Sequence, residues 1–286
     1  MLWQFCLKEF SQFNITHEFV LNDKIKFMEQ LKIVMLGSGN LAFHLSNALL
    51  GANHQIIQVF SRTINSAEIL AKQLNTNAIS SLQEIDNNAD LYILAVSDKA
   101  ISHIINGFDF SNKKVVHTAG SVALSVFGCE YQNVGVFYPL QTFSKSRKLN
   151  FKEIPICIEA NNPQFELFLT HLANQLSEIV LKITSKQRAQ LHLAAVFANN
   201  FVNHLYSISK NIIVKSDIDF NILKPLIKET ALKIFELSPE NAQTGPAIRN
   251  DAGSLEKHLE LLSSSPEYQA IYKLISEDIR LKYNNI

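Results

Sequence analysis

Lys32-Ile33-Val34-Met35-Leu36-Gly37-Ser38-Gly39-Asn40-Leu41-Ala42 is the stretch that decides the fold. Its apolar run reads as a strand, the two glycines interrupt it, and a helical pattern begins directly afterwards. The spacing of Gly37, Gly39 and Ala42 is that of a dinucleotide-binding turn. Gly37 permits the tight corner, Gly39 lets the main chain approach a pyrophosphate, and Ala42 keeps the helix close to the strand. Ser38, Asn40 and Leu41 complete the turn, so the phosphates would rest on unpaired N–H groups at the positive end of the helix dipole. An ordinary strand-turn-helix corner needs small residues too, so the flanking sequence has to decide.

Working outward, residues 41–50 read as a helix, and Gln55-Ile56-Ile57-Gln58-Val59-Phe60 as a second, parallel strand ending in Ser61-Arg62-Thr63. A fold selective for NAD usually carries Asp or Glu at this strand end, to accept from the ribose 2′-OH. A 2′-phosphate calls for an arginine and small hydroxyls instead. The expectation is therefore NADP, with Ser61, Arg62 and Thr63 at the phosphate. A helix over residues 66–74, a short strand at 78–79 and a strand at 90–96 continue the βαβ rhythm. Strand ends face the ligand crevice, which puts Val96, Ser97 and Asp98 over the adenosine or nicotinamide ribose, with capping of the helix that follows the expected role of Asp98 rather than substrate contact. Strands at 114–116 and 134–137 run into His117-Thr118-Ala119-Gly120-Ser121 and Tyr138-Pro139-Leu140-Gln141-Thr142-Phe143, two polar strand ends. A strand at 155–159, a helix at 164–176 and a strand at 177–183 close this half. The expected class is thus α/β, a Rossmann-like doubly wound and mostly parallel sheet over residues 30–184, followed by an all-α domain over 185–286.

The first helix of the second half, residues 188–210, is apolar on most sides and is expected to be largely buried. At about 100° per residue, Arg188, His192, Asn199 and Asn203 fall within roughly 60° of one another, a narrow polar stripe. His192 and Asn199 are expected at the crevice, whereas Asn203 is as well explained by bonds to neighbouring helices. Thr244-Gly245-Pro246 interrupts the helices ahead of Arg249.

Composition narrows the classes of function. The 286 residues are 47% hydrophobic, enough for a packed core, and 26 basic residues balance 26 acidic ones. Such a chain has no field to attract nucleic acid or an anionic membrane surface, which leaves a small molecule as the expected ligand. Three widely spaced cysteines without CxxC spacing suit a reducing, cytoplasmic compartment. No apolar run reaches the length of a membrane span, and no HExxH or paired-cysteine spacing marks a metal site. Residues 1–29 lack the pattern of a signal peptide, and Met28, just ahead of the first strand, is the expected natural start, the preceding residues being an extension.

In this order, the glycine turn, Ser61-Arg62, His117-Thr118-Ala119-Gly120, Tyr138 to Phe143, Ala198-Asn199-Asn200-Phe201 and Thr244-Gly245-Pro246-Ala247-Ile248-Arg249 resemble one group from residue 30 to the end. The group is the uncharacterised Rossmann-like NADP oxidoreductases with a C-terminal helical domain of unknown function. Its distant relatives are pyrroline-5-carboxylate reductase, prephenate dehydrogenase and the β-hydroxyacid dehydrogenases. The resemblance implies a dehydrogenase-like architecture whose helical domain forms a homodimer and closes the active site. Two departures matter: Val196 stands where β-hydroxyacid dehydrogenases carry a lysine before the Asn pair, and Tyr138-Pro139 replaces the His-Pro of prephenate-type enzymes.

Chemistry then assigns roles. A hydride passing between nicotinamide and a C=O or C=N carbon needs a proton donor or acceptor at the heteroatom, and histidine titrates in the right range. His192 is the first candidate, with Asn199 orienting substrate and His117 and Tyr138 as second choices. Gln141, Asn203 and Arg249 are candidate substrate contacts, Arg249 because a guanidinium forks onto a carboxylate. The expected activity is that of an NADP-dependent oxidoreductase on a small anionic carbonyl or imine compound or its reduced form. A non-catalytic NADP-binding sensor is the alternative, supported by the absent lysine and histidine.

Overall fold

Strand β1 (Lys32–Leu36) is an interior strand of an eight-stranded sheet, and its side chains explain why. Ile33 and Met35 enter the apolar cluster on one face of the sheet, Val34 and Leu36 the cluster on the other, and all four are fully buried. A strand covered on both faces needs no polar side, which is why its sequence is a continuous apolar run. This computed structural model describes residues 30–283, so the expectations for residues 1–29, including Met28 as natural start, lie outside the described residues.

From β1 the chain passes through α1 (Asn40–Gly51) to β2 (Gln55–Phe60), and through α2 (Ile64–Leu74) to β3 (Asn77–Ile79), each strand parallel to the one before. It then returns to the other side of β1. There β4 (Leu91–Leu94) pairs parallel with β1, and α3 (Asp98–Gly107) leads to β5 (Lys114–His117), parallel to β4. β6 (Asn133–Pro139) adds in parallel, β7 (Ile156–Ala160) turns antiparallel against it, and α4 (Pro163–Leu176) crosses back to β8 (Val180–Lys182), parallel to β7. The order is β3-β2-β1-β4-β5-β6-β7-β8. It reverses direction between β1 and β4, the switch point at which such sheets open a ligand crevice. β7 is antiparallel because its connection from β6 contains only a short 3₁₀ turn (Phe151–Glu153), and a parallel neighbour needs a helical crossover.

The chain divides into two compact units, the first ending at Val196 and the second beginning at Phe197. α5 (Ser185–Ala195) closes the first, and a π-helical turn spans Val196–Phe201. The second unit continues through α6 (Val202–Val214), α7 (Lys224–Lys233), α8 (Pro239–Ala242), α9 (Ala252–Leu261) and α10 (Pro266–Tyr283), and its described residues form no strand. An apolar cavity of about 330 Å³ lies within it, lined by Ile208, Ile212, Tyr268, Ile271 and Ile275 among others.

The region 188–210 departs from expectation. It is not largely buried: Leu193 is 59% and Phe197 61% exposed, while the polar Arg188 is buried. The stripe also fails as a construction, because the wider π turn abandons the constant angular step that aligned Asn199 and Asn203 with Arg188 and His192.

Candidate active site

The glycine turn leaves its backbone open. Gly37 has φ +131°, its N–H donates to Phe60 O at 2.9 Å, and a Cβ there would lie 2.1 Å from Ala95 O, so both conformation and space demand glycine. Gly39 is the extended residue before α1, and a Cβ on it would meet nothing within 4 Å. No side chain caps α1 and its first turn holds no acid. Its N–H groups therefore face open space, as a pyrophosphate requires.

That space is a cavity of about 530 Å³, within the size range of ligand sites. Gly37, Ser38, Gly39, Asn40, Leu41, Ser61, Arg62, Val96 and Ser97 line it, together with Asp98, Thr118, Ala119, Gly120, Tyr138 and His192. Several expected contacts are not in the lining. Ala42 is fully buried beneath the turn, Thr63 precedes α2 as its exposed N-cap residue, and Gln141 is exposed. Asn199 in the π turn, Asn203 in α6 and Arg249 are exposed residues of the second unit.

A strap that sequence reading missed lies on α1. Asn40 Nδ2 donates to Phe143 O at 2.9 Å, His44 Nε2 donates to Ser144 O at 2.9 Å, and Lys145 Nζ donates to Ser38 O at 3.1 Å. The His44 ring also packs near Phe143. The partners are about a hundred residues apart in sequence, so no spacing rule could pair them.

At the other end, the Tyr138 hydroxyl at the close of β6 lies 3.1 Å from His192 Nδ1. Both rings press on Gly120, where a Cβ would sit 2.6 Å from His192 Nδ1 and 3.0 Å from Tyr138 Cζ. Burial raises the Tyr138 pKa above its ordinary value.

The helix carrying His192 is anchored one turn earlier. Thr184 and Gln187 form a capping box, and Ser185 N and Oγ both donate to Glu159 on β7, at 2.8 and 2.7 Å. Arg188, only 1% exposed, pairs with Glu159 and donates to Val122 O and Ser185 Oγ. Leu124 N donates to Ser185 Oγ at 2.9 Å, so the loop after Gly120 is tied to the same point.

Two expectations are corrected here. His117 does not reach the cavity. Like Val115 two residues earlier, it faces the side of the sheet that holds Phe127, where it is fully buried and stacked on that ring. Its Nδ1 accepts from Ala119 N at 3.2 Å, and burial, reinforced by the Arg188 charge, pushes its pKa down to about 4. Asp98 does not cap α3. Ser97 is the N-cap residue and makes no capping bond, while Asp98 Oδ2 accepts from Ser121 Oγ. Among the described residues, no group of three or more His, Cys, Asp or Glu is arranged to hold a metal ion.

Comparison with known proteins fits this geometry. Residues 32–120 match the family model described as "NADP oxidoreductase coenzyme F420-dependent", and residues 154–279 match the domain of unknown function DUF2520. A candidate NADP oxidoreductase from Bacteroides fragilis is 42% identical, with 88% of this chain and 99% of that one covered and a TM-score of 0.83. A reductive aminase from Aspergillus terreus, solved with NADPH, cyclohexanone and allyl amine, is 14% identical, with 87% and 93% covered and a TM-score of 0.66. A 1-pyrroline-5-carboxylate reductase from Streptococcus pyogenes is 15% identical, with 88% and 98% covered and a TM-score of 0.61. At such identities the last two share the fold. No protein with a curated description matches.

Proposed function

The chain belongs to the NADP oxidoreductases that join a Rossmann-like nucleotide domain to a DUF2520 helical domain, and from this premise we propose an NADP-dependent reaction at a small anionic carbonyl or imine compound or its reduced form. One observation carries the reading: a single cavity joins the uncapped, glycine-lined start of α1 to the Tyr138–His192 pair.

The fit to the nucleotide is chemical. Open space at Gly39 and free N–H groups on α1 suit a pyrophosphate, and Arg62 with Ser61 beside it suits a 2′-phosphate. When bound, the nicotinamide supplies or takes up the hydride. The protein's own part is the proton. Burial keeps the Tyr138 phenol protonated, so in the direction of reduction it donates to the substrate heteroatom and is recharged through His192 Nδ1. Asn199, Asn203, Gln141 and Arg249 remain the candidates for holding the substrate, Arg249 at its anionic group.

Tyr138→Phe and His192→Ala are expected to retain NADPH binding and to lose turnover, while Arg62→Glu lowers the preference for NADPH over NADH. Loss of the charge-assisted hydrogen bonds, about 1.5–3 kcal/mol, lowers the affinity ratio by about tenfold to a hundredfold. Tight NADPH binding without turnover across a broad panel of carbonyl and imine substrates would favour the sensor, a reading that Val196 in place of lysine supports.

The proposal includes a homodimer formed through the helical unit. Among its described residues, the apolar side chains that are buried are Ile208 and Ala247, whereas Phe235 is 83% and Leu261 80% exposed. An apolar surface of that extent calls for a partner, and symmetric self-association is the commonest solution. The free thiols of Cys129 and Cys157 suit a reducing cytoplasm, and among the described residues no helix is long and apolar enough to cross a membrane.

A further inference from the structure

The glycine turn by itself offers an anion only partial charges. Residues 37–41 carry no ionised side chain, and the dipole of α1 amounts to about half an elementary charge, whereas each phosphoryl group of a diphosphate is fully charged. The strap across α1 brings a cation to this point, because Lys145 Nζ lies 3.1 Å from Ser38 O, in the turn itself. We infer that Lys145 binds the diphosphate of the dinucleotide, as a cationic contact supplied from outside the glycine motif. The inference rests on the NADP reading and adds to it a residue that sets how tightly, and not how selectively, the nucleotide is held.

Placement is the first argument. A lysine on a free loop loses much of its gain to the ordering of the loop and of its own side chain. Here the backbone ahead of Lys145 is already fixed, because Phe143 O accepts from Asn40 and Ser144 O from His44, both side chains of α1. The Phe143 ring stacks on Phe151 and packs near the His44 ring, and Ser144 Oγ lies 2.9 Å from Ser146 Oγ. The ammonium is thus held against the same helix whose uncapped N–H groups suit the phosphates. The strap also leaves β6 directly after Tyr138 and Pro139, so the segment that begins beside the Tyr138–His192 pair ends at the glycine turn.

Charge is the second argument. The basic residues that line the cavity are Arg62, His103 and His192. Arg62 follows β2, where the 2′-phosphate is placed, His103 lies on α3, and His192 pairs with Tyr138. Among the described residues, the cation bonded to the turn is Lys145. One of its three N–H donors goes to Ser38 O, which leaves others for phosphoryl oxygens. An ammonium is a compact charge on a flexible stem, so it turns onto a phosphate without moving the backbone of the strap. Because NADPH and NADH share the diphosphate, this contact strengthens both alike and leaves discrimination between them to Arg62.

Calorimetric titration of the full chain with NADPH, NADH and adenosine 2′-monophosphate tests this, since the last has the 2′-phosphate but no diphosphate. Lys145 is exposed, so its substitution leaves the core intact. Lys145→Met is expected to weaken NADPH and NADH alike by about tenfold, the loss of one charge-assisted hydrogen bond, and to leave adenosine 2′-monophosphate unchanged. It should also make NADPH binding less sensitive to added salt. Lys145→Arg is expected to retain the affinity. Lys145→Gln, which keeps a donor for Ser38 O but no charge, should lose as much as the methionine variant. Equal weakening of all three probes, or wild-type affinity in Lys145→Gln, would overturn the inference in favour of a lysine that only ties the strap to the turn. Weakening of NADPH without NADH would move the contact to the 2′-phosphate, and no weakening would remove it; either result overturns the inference. Wild-type protein that binds none of the probes would refute the NADP reading itself, and the inference would fall with it.

Discussion

Lowering the pH from 7.5 to 5 should cost the sheet-bearing unit about 2 kcal/mol of stability through one side chain, His117. In the unfolded chain this imidazole titrates at the ordinary 6.5, whereas in the folded protein burial, with the nearby Arg188 charge, holds it down to about 4. Between those values the unfolded state binds a proton that the folded state does not, so stability is complete above pH 6.5 and falls as pH falls through the window. The 2.5-unit difference corresponds to about 3 kcal/mol overall, of which about 2 kcal/mol is lost by pH 5. Urea unfolding followed by circular dichroism at pH 7.5 and pH 5 measures the loss, and His117→Asn supplies the control. The asparagine carbonyl oxygen can still accept from Ala119 N but carries no titrating group. The variant should therefore lose about 2 kcal/mol less than wild type over the same interval. Identical pH dependence in the two proteins would refute the reading, and His117 would have to be returned to the list of groups that take up protons in the native state.

Three further outcomes are expected. Arg188→Met should destabilise by about 3–5 kcal/mol because it leaves the Glu159 charge without its counter-ion, while Arg188→Met with Glu159→Gln, whose amide oxygen still accepts from Ser185, should recover most of that loss; a double variant no more stable than the single one would count against the ion pair as the cause. Gly120→Ala should cost about 1–3 kcal/mol in urea unfolding and displace the His192 ring from Tyr138, and an unchanged midpoint would mean that the ring has room to move aside. Sedimentation of the purified chain at micromolar concentration should give twice the mass of one chain, and a monomer mass would remove the homodimer.

Much of the candidate nucleotide site was legible because it depends on local rules. The apolar run of β1, the glycines after it and the arginine after β2 each act through their own backbone or strand end, and the structure brings Gly37, Gly39 and Arg62 into one cavity. His117 and Asp98 were misread for opposite reasons. His117 sits at a strand end, but the two-residue alternation of β5 turns it toward Phe127 and away from the cavity. Asp98 stands at a helix start, where capping is the common use, but Ser121, 23 positions away, takes its carboxylate. The region 188–210 misled through its period, since a π turn cannot be seen in a pattern of apolar residues spaced for an α-helix.

The division follows from the range of the forces. The succession of strands as far as β6 and the glycine turn after β1 were determined by the sequence itself, because backbone sterics and hydrophobic periodicity act over a few residues. The strap from Phe143 to Lys145 and the anchoring of α5 through Arg188, Glu159 and Val122 were decided by tertiary structure alone. They depend on hydrogen bonds and ion pairs between residues tens of positions apart, whose geometry exists only once the sheet has formed. The pairing of Tyr138 with His192 over Gly120 is of the same kind: three residues from two strand ends and a helix, each picked out separately in the sequence, meet because the sheet and α5 fix their positions.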